Sequence, residues 1–263
     1  MHARLLLLLL TGAWPVVPAL AGDPEAFLAG ATKTCIECNL AGASLSEHDF
    51  QRVKLDRANL EKADLAGSSL FRATLTGANL KGAKLRKANL NLIDAKGGDL
   101  AGADMSEALL YEADFSGANL AGANLRAARL GRARFNQANL VGATLAGADL
   151  REARLAGARL SGADMRGVTL DGVSLREMDL HGIDFTLADM VEVNLTDADL
   201  KGAQLAGVNL YGANLHGADL RGANFEGANL ENAILSDTKL EGAKFDAAIM
   251  PDGRRAPEGA PAP

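Results

Sequence analysis

The sequence predicts an all-β solenoid whose backbone turns a corner once every five residues. Three observations predict it. Every multiple of five from Leu40 to Phe245 is apolar, 42 positions in a row, and 32 of them are Leu. Two residues before each centre stands a small side chain, Ala in 29 of the 42 cases. One residue before, Asp or Asn fills 25 of 42, and Gly often follows two residues after. The unit reads A-(D/N)-L-x-G, as in YGANLHGADLRGANFEGANL at 211–230.

Five matches neither common backbone period. A helix would carry a five-residue stripe around its surface, because 3.6 does not divide five, and a strand would flip it to the opposite face at each repeat. The stripe is buried only if each unit ends in a corner that returns the next Leu to the same interior. Small Ala lets the backbone approach the axis, Gly relaxes the φ restriction, and Asp or Asn bonds nearby backbone. Stacked coils then pair at about 4.8 Å per coil. With only 4% aromatic residues, Leu and Ala must fill the interior.

In chain order, residues 1–21 (MHARLLLLLLTGAWPVVPALA) combine a basic start at Arg4, an apolar run Leu5–Leu10 and a small-x-small ending. This predicts a signal peptide cut after Ala21, and no later segment reads as transmembrane. The mature chain would carry 26 Lys+Arg against 33 Asp+Glu once Arg4 is removed, a charge of −7, so a uniformly basic nucleic-acid footprint is absent. Residues 22–37 form an N-terminal cap. Asp23-Pro24-Glu25 is a helix start, and Phe27 and Leu28 are expected to cover the first coil. Residues 38–250 are the repeats. Pro251 cannot extend a ladder, and 251–263 is expected to be a disordered Pro-rich tail.

These residues resemble the pentapeptide-repeat family, consensus A-(D/N)-L-x-x, over 38 to about 250. The resemblance implies a right-handed quadrilateral β-helix with four units per coil. At 4.8 Å per coil, about ten coils would make a rod roughly 50 Å long. Residues i and i+20 then stack, which places Ala95, Phe115 and Phe135 in one column and Met165, Phe185, Leu205, Phe225 and Phe245 in another.

Departures from the unit carry further expectations. At NLIDAKGGDL (91–100), Ala95 replaces the large centre, which predicts either a local bulge or simple drift filled by Phe115. Val168, Val173, Met178 and Ile183 enlarge the small site around one whole coil and should widen it or change its turn type. His48 takes a small inward site near the open end, where it can be partly hydrated.

Cys35 is in phase with the centres and Cys38 takes a small site. Around one corner, two such cysteines can reach disulfide spacing, and an oxidising compartment favours the bond. The resemblance adds that exported family members start with a similar C-x-x-C-(D/N)-L. A thioredoxin-like site wants an exposed cysteine at a helix N-terminus, a zinc site needs about four ligands, and haem attachment needs His where Asn39 stands.

No catalytic, cofactor-binding or metal-binding residue is expected. Ser161, His181 and Lys201 share an outward column, but a convex surface offers no pocket to hold a substrate. Charge is more informative. Arg126, Arg129, Arg132, Arg134, Arg151, Arg154 and Arg159 face only Asp149 and Glu152 within 126–159, a net +5. Residues 168–200 hold eight acids against Arg176, a net −7. Stacked like charges, as at Asp164 and Asp184 or Asp179 and Asp199, are expected to raise carboxyl pKa values.

The reading is therefore a non-enzymatic scaffold or binding rod, exported to the bacterial periplasm or beyond. Its arginine belt would meet a protein or an anionic envelope component, not nucleic acid. The alternative is topoisomerase protection by DNA mimicry, which some relatives perform with an acidic surface and a C-terminal helix. The signal peptide, the arginine belt and the Pro-rich tail depart from that pattern.

Overall fold

The computed structural model describes residues 22–259; the expected signal peptide lies outside them. Each five-residue unit contributes one bridge residue and one two-residue turn. Bridge residues pair in parallel with the residue twenty positions on, from Thr34–Lys54 to Asn229–Ile249, with the two exceptions Arg154–Ser174 and Arg159–Asp179 among the described residues. Twenty residues therefore make one coil with four corners. We number the faces by their centres: face 1 carries Leu90, Leu110, Leu130 and Leu150, face 2 carries Ala95, Phe115, Phe135 and Leu155, face 3 carries Leu100 to Leu160, and face 4 carries Met105 to Met165.

The ladder explains the unit residue by residue. The centre's N–H donates to the coil above, as Leu120 N to Asn139 O at 2.7 Å. The outward Asp or Asn caps the corner, its Oδ1 accepting from the N–H two residues on, as Asp64 does from Ala66 at 3.1 Å. Asn adds a second bond to the coil below, as Asn139 Nδ2 to Asn119 Oδ1 at 2.9 Å. The corner residue two after the centre is left-handed, which is why Gly recurs there; Gly207 has φ 63°. The interior is a continuous column of Leu and Ala, nearly all fully buried. Phe115 stacks on Phe135 with centroids 5.3 Å apart, and Phe225 on Phe245 at 5.0 Å, as the twenty-residue register predicts.

At the N-terminal end, α1 (Pro24–Leu28) is capped by Asp23 Oδ1, which accepts from the N–H groups of Glu25 and Ala26. Phe27 is buried and stacks on Phe50 at 5.5 Å. Leu28 does not share this role; it faces solvent, because a single helical turn presents one apolar side to the coil. The ladder already begins at Thr34, four residues before the expected start at 38. His48 does not point inward. It is exposed, lies against Phe50 at 5.8 Å and bonds the Ser46 carbonyl through Nδ1 at 2.6 Å.

At 91–100 no bulge forms. Ala95 N donates to Asp114 O at 2.8 Å and Gly97 N to Ser116 O at 3.0 Å, so the drift reading holds. The ladder opens elsewhere. Among the described residues, the bonds from Leu155 to Ser174, Gly157 to Arg176, Leu160 to Asp179 and Gly162 to His181 are not made. Their counterparts from Glu152 to Asp171, Ser174 to Ala153, Asp179 to Ala158 and Asp184 to Ala163 are missing too.

The cause is steric. Ile93 above Ala73 and Val208 above Ala188 each keep their bonds, so one isolated enlarged residue is tolerated. Val168, Val173, Met178 and Ile183 are enlarged on four successive faces above Ala148, Ala153, Ala158 and Ala163; at Val168, the start of the run, the ladder holds, and the other three together lift the coil. The corners keep their left-handed φ, so the turn type is unchanged. A cleft of about 310 Å³ marks the seam, lined by Ala153, Arg154, Leu155, Ser174 and Met178 among others.

The tail is not disordered from 251. Met250 N donates to Arg254 O at 2.8 Å, Arg255 pairs antiparallel with Ile249, and Ala256 N donates to Ala248 O. Pro251 ends the ladder as expected, but Gly253 at φ 78° turns the chain back over the last coil. The hairpin covers only part of that end. Leu235, Leu240 and Met250 are half-buried around a cavity of about 590 Å³.

Candidate interaction surface

The outward side chains are organised by the corner. An acid just before the centre bonds a base just after it. Asp149 takes Arg151 Nε at 2.9 Å, Asp164 takes Arg166 Nε at 2.8 Å, and Asp219 takes Arg221 Nε at 2.8 Å. His181 Nδ1 lies 2.9 Å from Asp179, and Lys201 Nζ 2.7 Å from Asp199. This corrects the electrostatic expectation. Asp164 and Asp179 lie below the usual carboxylate range because Arg166 and His181 bond them locally. Asp219 is lower still: Arg221 bonds it most strongly, with help from Lys201. The like-charged neighbour one coil away is the weaker influence. Asp171, which has no acid stacked one coil above it, has its pKa raised by burial first and then by Asp189, eighteen residues on.

The seven arginines do not form one patch. By register, Arg129, Arg132 and Arg151 belong to face 1 and its corner, Arg134 and Arg154 to face 2, Arg159 to face 3, and Arg126 to the corner after face 4. Arg132 pairs with Glu152 at 2.8 Å, Arg134 with Asp114 at 3.4 Å, and Arg151 with Asp149. Arg126, Arg129, Arg154 and Arg159 have no carboxylate within ion-pair distance among the described residues.

Ser161, His181 and Lys201 do not act together. His181 is held by Asp179, and Lys201 by Asp199 and Asp219. Cys35 and Cys38 are joined by a disulfide, with Cα atoms 5.2 Å apart, and both are buried in the first coil. Gly22 packs on them so closely that a Cβ there would lie 2.7 Å from Cys35 Cα. Among the described residues no group of three His, Cys, Asp or Glu side chains could hold a metal ion, and no helix is long and apolar enough to cross a membrane.

The five-residue unit, its left-handed corner and the twenty-residue ladder are a family signature. The pentapeptide-repeat model matches in eight copies spanning 35–70, 54–91, 89–130, 118–155, 128–167, 148–186, 188–227 and 213–250. The chain is a pentapeptide-repeat protein. Solved structures similar to it belong to the same family. HetL, a pentapeptide-repeat protein involved in heterocyst differentiation regulation from the cyanobacterium Nostoc sp. strain PCC 7120, is 30% identical, with 88% of this chain and 97% of that one covered and a TM-score of 0.32. Rfr23 from the cyanobacterium Cyanothece 51142 is 26% identical over 53% of this chain and 89% of its own, with a TM-score of 0.30. QnrB1, a plasmid-mediated fluoroquinolone resistance protein, is 20% identical over 81% and 93%, with a TM-score of 0.29. No curated protein matches the chain. As a pentapeptide-repeat protein, the chain has the family's right-handed quadrilateral β-helix, a fold whose members are generally structural or binding proteins.

Proposed function

We propose that this pentapeptide-repeat protein is an exported, non-enzymatic binding rod of about ten coils that meets an anionic partner, a protein or a component of the cell envelope. The observation that carries the reading is the set of unpaired arginines. Beside arginines that bond carboxylates two or about twenty residues away, such as Arg151 and Arg132, the mid-rod Arg126, Arg129, Arg154 and Arg159 have no carboxylate within ion-pair distance among the described residues, and they lie on two adjacent coils. Free guanidinium groups on a convex surface recruit anions by long-range attraction and bidentate hydrogen bonds.

Export rests on the first 21 residues and on the Cys35–Cys38 disulfide, which an oxidising compartment sustains. The test has two arms. The mature protein is expected to bind phosphatidylglycerol vesicles with an affinity that falls as salt rises. Replacing the four free arginines with Gln is expected to abolish that binding; unchanged binding sinks the arginine reading. Expressed with its natural start, the recovered protein should begin at Gly22, and an intact Met1 refutes the cleaved signal.

A further inference from the structure

Three departures from the repeat fall side by side on face 1. Among the 42 outward positions before a centre, only Leu109 and Ile234 are aliphatic. Among the 42 positions after a centre, only Gly131 is glycine. Tyr111, one coil below Gly131, is an exposed aromatic residue at 41%. Where every other unit presents a side chain, Gly131 leaves a gap between Tyr111 and Arg151. The result is a notch of about 440 Å³, lined by Leu109, Tyr111, Arg129, Gly131, Arg132 and Arg151 among others.

The walls are held in place. Tyr111 N donates to Asn91 Oδ1 at 2.8 Å, and Arg132 Nη1 donates to Tyr111 Oη at 2.8 Å while its guanidinium lies 5.8 Å from the ring centroid. Gly131 is not left-handed, so the backbone does not require glycine there. A Cβ would meet Tyr111 Cδ2 at 3.4 Å, which is contact distance, so its absence matters for the space it leaves.

The charges select the occupant. Both acids of the notch are engaged, Asp149 by Arg151 and Glu152 by Arg132. Arg129 is the remaining cation and has no carboxylate within ion-pair distance among the described residues. An anchored tyrosine ring and a free arginine around an empty pocket are the residue types in which interface hot spots are enriched, and Leu109 adds apolar surface beside them.

We infer that this notch is a docking site for an acidic segment of a partner protein, one that places an aliphatic side chain over Gly131 and a carboxylate on Arg129. The inference rests on the anionic-partner reading and narrows it to one place. The test is NMR titration of the whole mature protein with acetyl-Glu-Leu-Asp-Leu-Glu-amide, its Lys-for-acid counterpart, and heparin as a polyanion without aliphatic groups.

The acidic peptide is expected to shift the amides of Leu109, Tyr111, Arg129, Gly131 and Arg132, and the lysine peptide to leave them unmoved. Gly131→Gln fills the pocket without changing charge, and Arg129→Gln removes the cation. Each is expected to weaken peptide binding by at least about tenfold, the loss of about 1.4 kcal/mol. Unperturbed amides on the coils above 190 will show that both variants fold.

Equal shifts with heparin at these amides, or binding untouched by Gly131→Gln, overturn the notch. Peptide binding that survives Gly131→Gln but is lost in Arg126→Gln/Arg154→Gln/Arg159→Gln keeps the anionic-partner reading and refutes this site. Notch shifts in a protein that ignores anionic vesicles support the site and remove the envelope component as the partner.

Discussion

Replacing Met178 with Ala should strengthen this rod, against the usual rule for cores. Met→Ala in a close-packed interior typically costs about 2–5 kcal/mol. Here Met178 is the middle of the three residues that hold two coils apart, and Ala158 beneath it is more exposed than the other inward Ala of the middle coils. With Ala at 178, Ile183 becomes a lone enlargement, the condition that Ile93 meets without losing bonds, and Val173 keeps only Val168 beside it. Eight ladder bonds would then form, at a net of about 1 kcal/mol each, about 8 kcal/mol at most. Closure also refills the space the thioether leaves, so the cavity penalty falls away. The expected result is a stability equal to or greater than wild type in denaturant unfolding. Hydrogen exchange at Leu155, Leu160, Ser174 and Asp179 should slow by at least about tenfold, the signature of a gain of about 1.4 kcal/mol in local opening. In the wild type those amides should exchange faster than Phe135 and Leu140, whose ladder bonds to Arg154 and Arg159 are intact. A loss of about 3 kcal/mol or more with no gain in protection would show that the seam is well packed and that its open ladder has another cause.

Three further outcomes are expected. The native protein should resist alkylation until reduced, and Cys35→Ala/Cys38→Ala should lower unfolding free energy by about 2 kcal/mol, the chain-entropy value for so short a loop; reaction of the unreduced protein with iodoacetamide would contradict the pairing. Asp219 has a folded pKa below its unfolded value, so its contribution is present above the ordinary carboxylate pKa of about 3.9 and is lost as pH falls. Wild type should therefore lose more stability than Asp219→Asn between about pH 4 and pH 2, and parallel acid titrations of the two would refute it. Leu187 is 72% exposed and left-handed at φ 59°, so Leu187→Gly should raise stability by about 0.5–1 kcal/mol, relief of αL strain less glycine's entropy; a loss in thermal unfolding would show that the side chain packs on something.

Most of the fold was legible because a period of five admits so few backbones. The unit, the corner, the twenty-residue stacking and the phenylalanine columns all follow from counting to five and asking which side chains need burial. What counting hides is the exception. Gly131 reads as one more glycine in a glycine-rich chain until its place in the unit is noted, and Leu109 as one more leucine. The seam was half visible: the enlarged residues stand out in the sequence, but only the coil beneath them, lined with Ala, shows why the ladder opens. The electrostatic error came from weighing the neighbour twenty residues away and overlooking the one two residues away, although Asp-Leu-Arg at 149–151 and 219–221 carries that pairing openly. The returning tail left a weaker trace, a Pro-Asp-Gly turn at 251–253 that fits a reversal as well as an ending.

Outside the seam, the ladder joins bridge residues to those twenty places on, and at each joint it asks for the same backbone. Twenty residues can thus be removed or duplicated almost anywhere along the repeats without moving any other side chain to a different face. Length becomes a graded quantity, adjustable in steps of about 4.8 Å, while the two ends and whatever they carry stay unchanged. A protein built this way can serve as a gauge, fixing how far apart two attachments are held.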